Sequence, residues 1–281
     1  MRVGLFPWLA LSVVVLACGG RSSDAGDGGV VGPGATVRPG DSVGLGDIVG
    51  QVIVITAAEN GFASDRFDVD LQPFQPDDAP CAGATTTVGS CCYFAPGPPP
   101  PLQPQGQGTP ATEQSAGDIQ LVDATTSSLL GTYAYHAGGY DGLPATFAAG
   151  TWGAGDDLVV SAAGDAVAAF TITAPALSPP TEILPSSVAS GQDVVVTWAP
   201  ASSSQTMSVA LLDSSTSAVV GCTVPETRGT VTIDARLFAS FATGASWQVT
   251  AIREADRYAQ TSSGRVVLRS FGWASGFCTV H

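Results

Sequence analysis

Apolar and polar residues alternate along most of this chain, and beyond its N-terminal stretch the three-to-four spacing of an amphipathic helix is nearly absent. A period of two sends successive side chains to opposite faces of a strand, so the pattern commits the chain to sheets. The alternating runs are Ile48–Thr56, Phe67–Phe74, Asp118–Val122, Leu129–His136, Leu158–Ala162 and Val167–Thr173. They resume at Asp193–Ala199, Met207–Leu212, Ala218–Val224, Gly229–Ile233, Trp247–Arg253 and Arg265–Phe271, with a last run through Cys278. Gly, Asp and Ser turns punctuate them at intervals typical of sandwiches. Val194, Val196 and Trp198 share one face, as do Met207, Val209 and Leu211, and two such faces packed together bury a core. The fold class expected is therefore all-β, with two β-sandwich-like domains. Arg236–Ala242 is expected to form one short helical turn.

Composition shifts divide the chain. Residues 1–17 are an apolar leader whose core, Leu5–Ala17, is too short to span a bilayer as a helix and has the size of a secretory h-region. Residues 18–46 are Gly, Ser, Asp and Pro with almost no apolar run, a composition that cannot bury enough surface to offset ordering entropy. As a flexible tether this stretch would hold its ends on the order of 30 Å apart. An N-terminal β-rich domain is expected over 47–176 and a C-terminal sandwich over 177–281, joined at Ala174–Thr181 with its Pro175, Pro179 and Pro180. Within the first, Pro96–Pro110 includes four consecutive prolines from Pro98 to Pro101 and is expected to be a long surface loop, because proline offers no amide to a central ladder.

The leader ends Val15-Leu16-Ala17-Cys18, followed by Gly19-Gly20, and this resembles the lipobox of bacterial lipoprotein signal peptides. The resemblance implies that Cys18 is thioether-linked to diacylglycerol and becomes the mature N-terminus, making membrane lipid the first partner. Each buried methylene contributes about 0.8 kcal/mol, and stable anchoring takes more than one chain. In that family an Asp after the cysteine marks inner-membrane retention; Gly19 implies the outer membrane instead. The C-terminal region, with Val194-Val195-Val196-Thr197-Trp198, resembles an immunoglobulin-like or fibronectin-III-like sandwich, although its cysteines do not flank the tryptophan as in true immunoglobulins. The whole layout resembles surface lipoproteins of high-GC proteobacteria.

The formal charge is -14, and removal of the leader, whose one charged residue is Arg2, takes it to -15. All 10 basic residues are arginine, none lies in a basic stripe with interleaved aromatics, and a nucleic-acid partner is excluded on charge. Export places the remaining cysteines, Cys81, Cys91, Cys92, Cys222 and Cys278, in an oxidising compartment. Cys222 and Cys278 are expected to bond to each other. Cys81 is expected to bond Cys91 or Cys92, with Cys91 the first choice and one thiol left over. No zinc spacing is present.

Chemistry-bearing residues are sparse. His136 is the one histidine inside the strand pattern and the only base that a Ser-His-Asp hydrolase could use, with Asp141 close in sequence. Ser275 sits in a near-match to the nucleophile elbow, Gly272-Trp273-Ala274-Ser275-Gly276. Carboxylates gather at Asp65, Asp68, Asp70, Asp77 and Asp78, and Asp68 and Asp70 point the same way on a strand, a two-ligand start toward a calcium site. Tyr133, Tyr135, Tyr140, Trp152, Trp247 and Trp273 are available as stacking platforms for a glycan. Weighed together, these features predict a non-catalytic, membrane-anchored protein without a cofactor or metal, whose sandwiches serve envelope structure, adhesion or the binding of an envelope protein or glycan. A calcium- or carbohydrate-binding module and a His136 hydrolase are the alternatives.

Overall fold

The computed structural model describes residues 48–59, 62–71, 81, 84–95, 113–136, 138–181, 187–189, 191–201, 206–213, 216–238, 244 and 246–280. Cys18, the tether and the Pro-rich stretch 96–110 lie outside these residues.

The fold is all-β. The first half contributes β1 (Ile48–Glu59), β2 (Phe62–Asp70), β3 (Thr86–Val88), β4 (Cys91–Phe94), β5 (Ile119–Asp123), β6 (Ser128–Tyr133), β7 (Tyr135–His136), β8 (Gly139–Tyr140), β9 (Ala145–Ala148), β10 (Asp157–Ala162) and β11 (Phe170–Pro175). The second contributes β12 (Ser187–Val188), β13 (Val194–Thr197), β14 (Thr206–Asp213), β15 (Ala218–Pro225), β16 (Thr230–Ile233), β17 (Ser246–Thr261) and β18 (Gly264–Val280). The helical turn expected from Arg236 is a 3-10 turn at Ala235–Phe238.

Ten strands form one sheet in the order β3-β4-β15-β14-β17-β18-β1-β2-β9, with β12 added beside β18. Two small sheets pack on it: β11-β10-β5-β6 and β13-β16. Each small sheet closes its own core. Val194, Val196, Trp198, Val231 and Ile233 meet Met207, Val209, Leu211, Trp247 and Val249 in the first. Ile119, Leu121, Leu158, Val160 and Ile172 meet Val52, Val54, Phe67, Val266 and Leu268 in the second. The inward face of β14 (Met207, Val209, Leu211) is the one read from the sequence, and Trp198 is 5 % exposed.

The two cores share the β17–β18 hairpin. β17 pairs along its whole length with β18, while β14 runs beside its first part only, ending where Thr206 meets Glu254. On the other side, β18 is paired in parallel with β1, from Arg265 opposite Ile48 to Ser275 opposite Glu59. Both cores draw residues from both sides of position 176, Val266 and Leu268 packing in the second and Cys91 in the first, and the sheet runs unbroken across it. The joint between them is buried: Ala176 and Leu177 are 1 % and 2 % exposed.

The cysteine pairing differs from expectation at Cys222 and Cys278, while Cys81 takes the second of its two expected partners. Cys222 bonds Cys91, directly opposite on β4 with Cα atoms 4.0 Å apart, and Cys81 bonds Cys92, with Cα atoms 5.6 Å apart. Cys278 is a buried free thiol. Cys222 faces Val209, which faces Ala251, which faces Ala274, so β14 and β17 separate Cys222 from β18. Three inter-strand steps are roughly 14 Å, about twice what a disulfide can bridge. The β3–β4 hairpin instead inserts beside β15 and brings Cys91 to it.

Candidate functional site

Where the hairpin passes from one core to the other, its inward face stops being apolar. Trp247, Val249 and Ala251 belong to the first core, but the next inward residue of β17 is Arg253, and β18 offers Gly272 and Ser270 there. Arg253 Nε lies 3.1 Å from Glu226 Oε1, and their side chains are 5 % and 0 % exposed. The guanidinium also donates to the Ser178 hydroxyl at 2.9 Å and to the Ala199 carbonyl. Glu226 in turn accepts the Ala201 N–H at 2.8 Å, and its backbone carbonyl accepts Trp198 Nε1–H at 2.8 Å. One arginine therefore holds the joint, the loop after β13 and the turn after β15. A buried charge is tolerated only when paired and hydrogen-bonded in this way. Gly272 completes the seam, because a methyl group there would overlap the Ser178 carbonyl oxygen.

The opposite face of the same rows carries a second ionic cluster. Arg269 of β18 serves two carboxylates of β17: Nη2 is 3.4 Å from Glu254 Oε1 and Nε is 3.5 Å from Asp256 Oδ1. The Thr206 hydroxyl donates to Glu254 Oε2 at 3.3 Å. All three ionic side chains are at most 17 % exposed. Burial, then the neighbouring Asp256 charge, push the Glu254 carboxyl up to about 7, against the pull of Arg269. Burial raises Asp256 as well and pushes the Tyr258 phenol up to about 12. The strand expected from the sequence ended at Arg253 and left Glu254 and Asp256 out, because Ala255, Arg257 and Ala259 offer no apolar alternation that would extend it.

Among the described residues, the candidates expected from the sequence do not converge on a site, and Asp77 and Asp78 lie outside those residues. His136 and Asp141 do meet, Nε2 to Oδ2 at 3.6 Å, but on the small β7–β8 ribbon with side chains 65 % and 71 % exposed. Among the described residues no hydroxyl hydrogen-bonds His136. Ser275 lies inside β18, paired with Thr250 and Glu59, and not on the strand-to-helix turn an elbow requires. Asp68 spends Oδ1 on the N–H of Val69 at 2.9 Å, and burial raises its carboxyl, with Asp70 adding repulsion. Among the described residues, no three His, Cys, Asp or Glu side chains are grouped as metal ligands. Asp65 lies elsewhere, accepting the Thr151 N–H at 2.9 Å.

Five of the six aromatic platforms are interior, and the sixth, Tyr135, is half-buried. Tyr133, Tyr140, Trp152, Trp247 and Trp273 are all at most 7 % exposed. The Tyr140 oxygen accepts the Ala116 N–H at 2.8 Å, the Tyr135 hydroxyl donates to the Glu113 carbonyl at 2.6 Å, and Trp152 Nε1–H donates to Thr56 at 2.9 Å. Their faces are committed to packing.

Comparison with known proteins adds a loose likeness. No family model matches the chain, and no curated protein matches it. A two-domain fibronectin type-III segment of chicken tenascin is 12% identical, with 70% of this chain and 95% of that one covered and a TM-score of 0.27. The FN1–FN3 domains of chicken CNTN1 are 8% identical, with 78% of this chain and 63% of that one covered and a TM-score of 0.22. Scores this low carry no argument beyond the strand-rich class already evident in the fold.

Proposed function

We propose that this chain is an exported, lipid-anchored envelope protein whose two joined sandwiches serve a structural or binding role and not catalysis. The observation that carries the reading is the pairing of Cys81 with Cys92 and Cys91 with Cys222, because disulfides persist in extracytoplasmic compartments and are rare in reducing ones. It agrees with the leader that ends at Cys18. The buried aromatic faces and the exposed His136, to which no hydroxyl is hydrogen-bonded among the described residues, favour a scaffold over a hydrolase. Outer-membrane placement is taken from Gly19, and the partner is an envelope protein or glycan.

The test is a Cys18→Ser substitution followed by membrane fractionation and intact mass measurement. The native protein should fractionate with membrane and carry acyl mass on a chain beginning at Cys18. The variant should lose both. Unchanged sedimentation of the variant overturns the anchor. A Cys18→Ser protein whose other cysteines are all reduced in the cell overturns the export.

A further inference from the structure

The turn that follows β8 holds an aspartyl-glycyl bond, Asp141-Gly142, and Asp141 is the only aspartate among the described residues whose next residue is glycine. That pairing matters chemically. A backbone nitrogen can attack the side-chain carboxyl of the residue before it and close a five-membered imide, and a side chain on the attacking residue hinders the approach. Glycine has none. Gly142 has a φ of 78°, in the left-handed region, and a β-carbon built on it would meet no atom within 4 Å beyond its chain neighbours. The Asp141 side chain is 71 % exposed, and its Oδ2 lies 3.6 Å from His136 Nε2. The ribbon holds the two together. His136 pairs with Gly139 across β7 and β8, the Asp141 N–H donates to the Ala134 carbonyl at 3.0 Å, and Tyr140 is fixed by its buried bond to the Ala116 N–H. An ionised carboxylate gives up an oxygen only when protons are brought to it, and a protonated imidazole beside it can bring one.

We propose that Asp141 is a self-modifying site, at which His136 assists conversion of the aspartyl linkage to isoaspartate. Gly142 N bonds to Asp141 Cγ while the Cγ–Oδ2 bond breaks. Oδ2 leaves as water, taking one proton from the His136 imidazolium and one from the Gly142 N–H. A water molecule then opens the imide at the backbone carbonyl carbon of Asp141, so the nitrogen stays on Cγ. The new backbone carboxylate ionises, and its proton returns to His136. One water is released and one consumed, so the product is an isomer of the starting chain. The main chain gains one methylene between Asp141 and Gly142, and the displacement falls on the turn between β8 and β9.

The experiment keeps the full mature protein at about pH 6, where imidazole side chains carry their second proton, in water enriched in oxygen-18. Each passage through the imide places one heavy oxygen in a carboxyl group of Asp141, read by peptide mapping, and electron-transfer fragmentation reads the inserted methylene. Asp27-Gly28, outside the described residues, carries the same kind of bond and serves as the internal reference. The ratio of label at Asp141 to label at Asp27 should fall several-fold in His136→Ala, and free imidazole in the buffer should restore part of it. Gly142→Ala should slow labelling at Asp141 several-fold and leave Asp27 as it was. Asp141→Asn should lose ammonia through the same ring, showing that the turn admits the imide. Three results would each overturn the proposal: an Asp141 that stays unlabelled while Asp27 is labelled, an Asp141→Asn protein that keeps its ammonia, or a ratio that His136→Ala leaves unchanged.

Discussion

Cys91 and Cys222 occupy directly opposed positions on β4 and β15, and their bond fastens a hairpin from the first half of the sequence to the sandwich of the second. The bond closes 131 residues of chain. In the chain-entropy account a loop of that length stabilises by about 5 kcal/mol. Cys222→Ser should therefore lower unfolding stability by several kcal/mol in urea titrations. Non-reducing peptide maps of the native protein should join Cys91 to Cys222 and Cys81 to Cys92. A fragment joining Cys222 to Cys278 would refute the pairing.

Cys278 is 1 % exposed, and burial raises its thiol above the ordinary range. The thiolate is the reactive form, so both effects protect it. Alkylating reagents should leave it untouched in the folded protein and modify it once urea unfolds the chain without reductant. Rapid labelling of Cys278 in native buffer would contradict its burial.

Arg253 and Glu226 make the inward half of the seam, and removing one partner strands the other without water. Glu226→Gln should cost about 3–5 kcal/mol, the usual penalty for an orphaned buried charge. Replacing both, as Glu226→Gln with Arg253→Met, should recover part of that loss, because no charge then remains to be satisfied. Equilibrium denaturation of the two singles and the double measures it. A double variant at the additive sum would mean that the pair is not coupled.

Much of the strand layout was legible because apolar alternation marks half-buried strands directly. Val194–Thr197 and Thr206–Asp213 lie where Val194, Val196, Met207, Val209 and Leu211 placed them. The hairpin was not legible to its full length. Past Arg253 the inward residues are Ala255, Arg257 and Ala259, too small or too polar to signal a core, while Glu254, Asp256 and Tyr258 resemble solvent-facing residues. Strand length there is imposed by β1 in parallel register, a contact no local pattern encodes. The disulfides failed for the same reason: pairing Cys222 with its sequence companion ignored that a distant hairpin supplies the strand beside it. Of the candidate site, Arg253 was visible only as the end of a strand, and Glu226 drew no notice.

Gly272 reaches the Ser178 carbonyl so closely that no β-carbon fits between them, with backbone and not a pliable side chain on the other side. Gly272→Ala should therefore displace the joint from the hairpin and cost on the order of 1–3 kcal/mol through overpacking. Loss of the Arg253–Ser178 contact should accompany it. Thermal unfolding checks the first effect. An unshifted midpoint would show that the joint yields without penalty.

Tyr140 links the β7–β8 ribbon to the loop before β5, accepting the Ala116 N–H in a buried site. Burial pushes its phenol up to about 12, from an ordinary value of 10.0. The neutral phenol is thus favoured in the folded state. Its contribution is intact below about pH 10 and declines toward pH 12, as the unfolded chain ionises first. Ultraviolet titration should show Tyr140 ionising only with alkaline unfolding. Tyr140→Phe leaves the Ala116 N–H buried and unpaired, a cost of about 1–3 kcal/mol at neutral pH. The same variant has no phenol to ionise, so its stability should fall less steeply above pH 10 than that of the native protein. The two stability curves should converge at alkaline pH. Parallel curves would mean that the Tyr140 phenol titrates alike in both states.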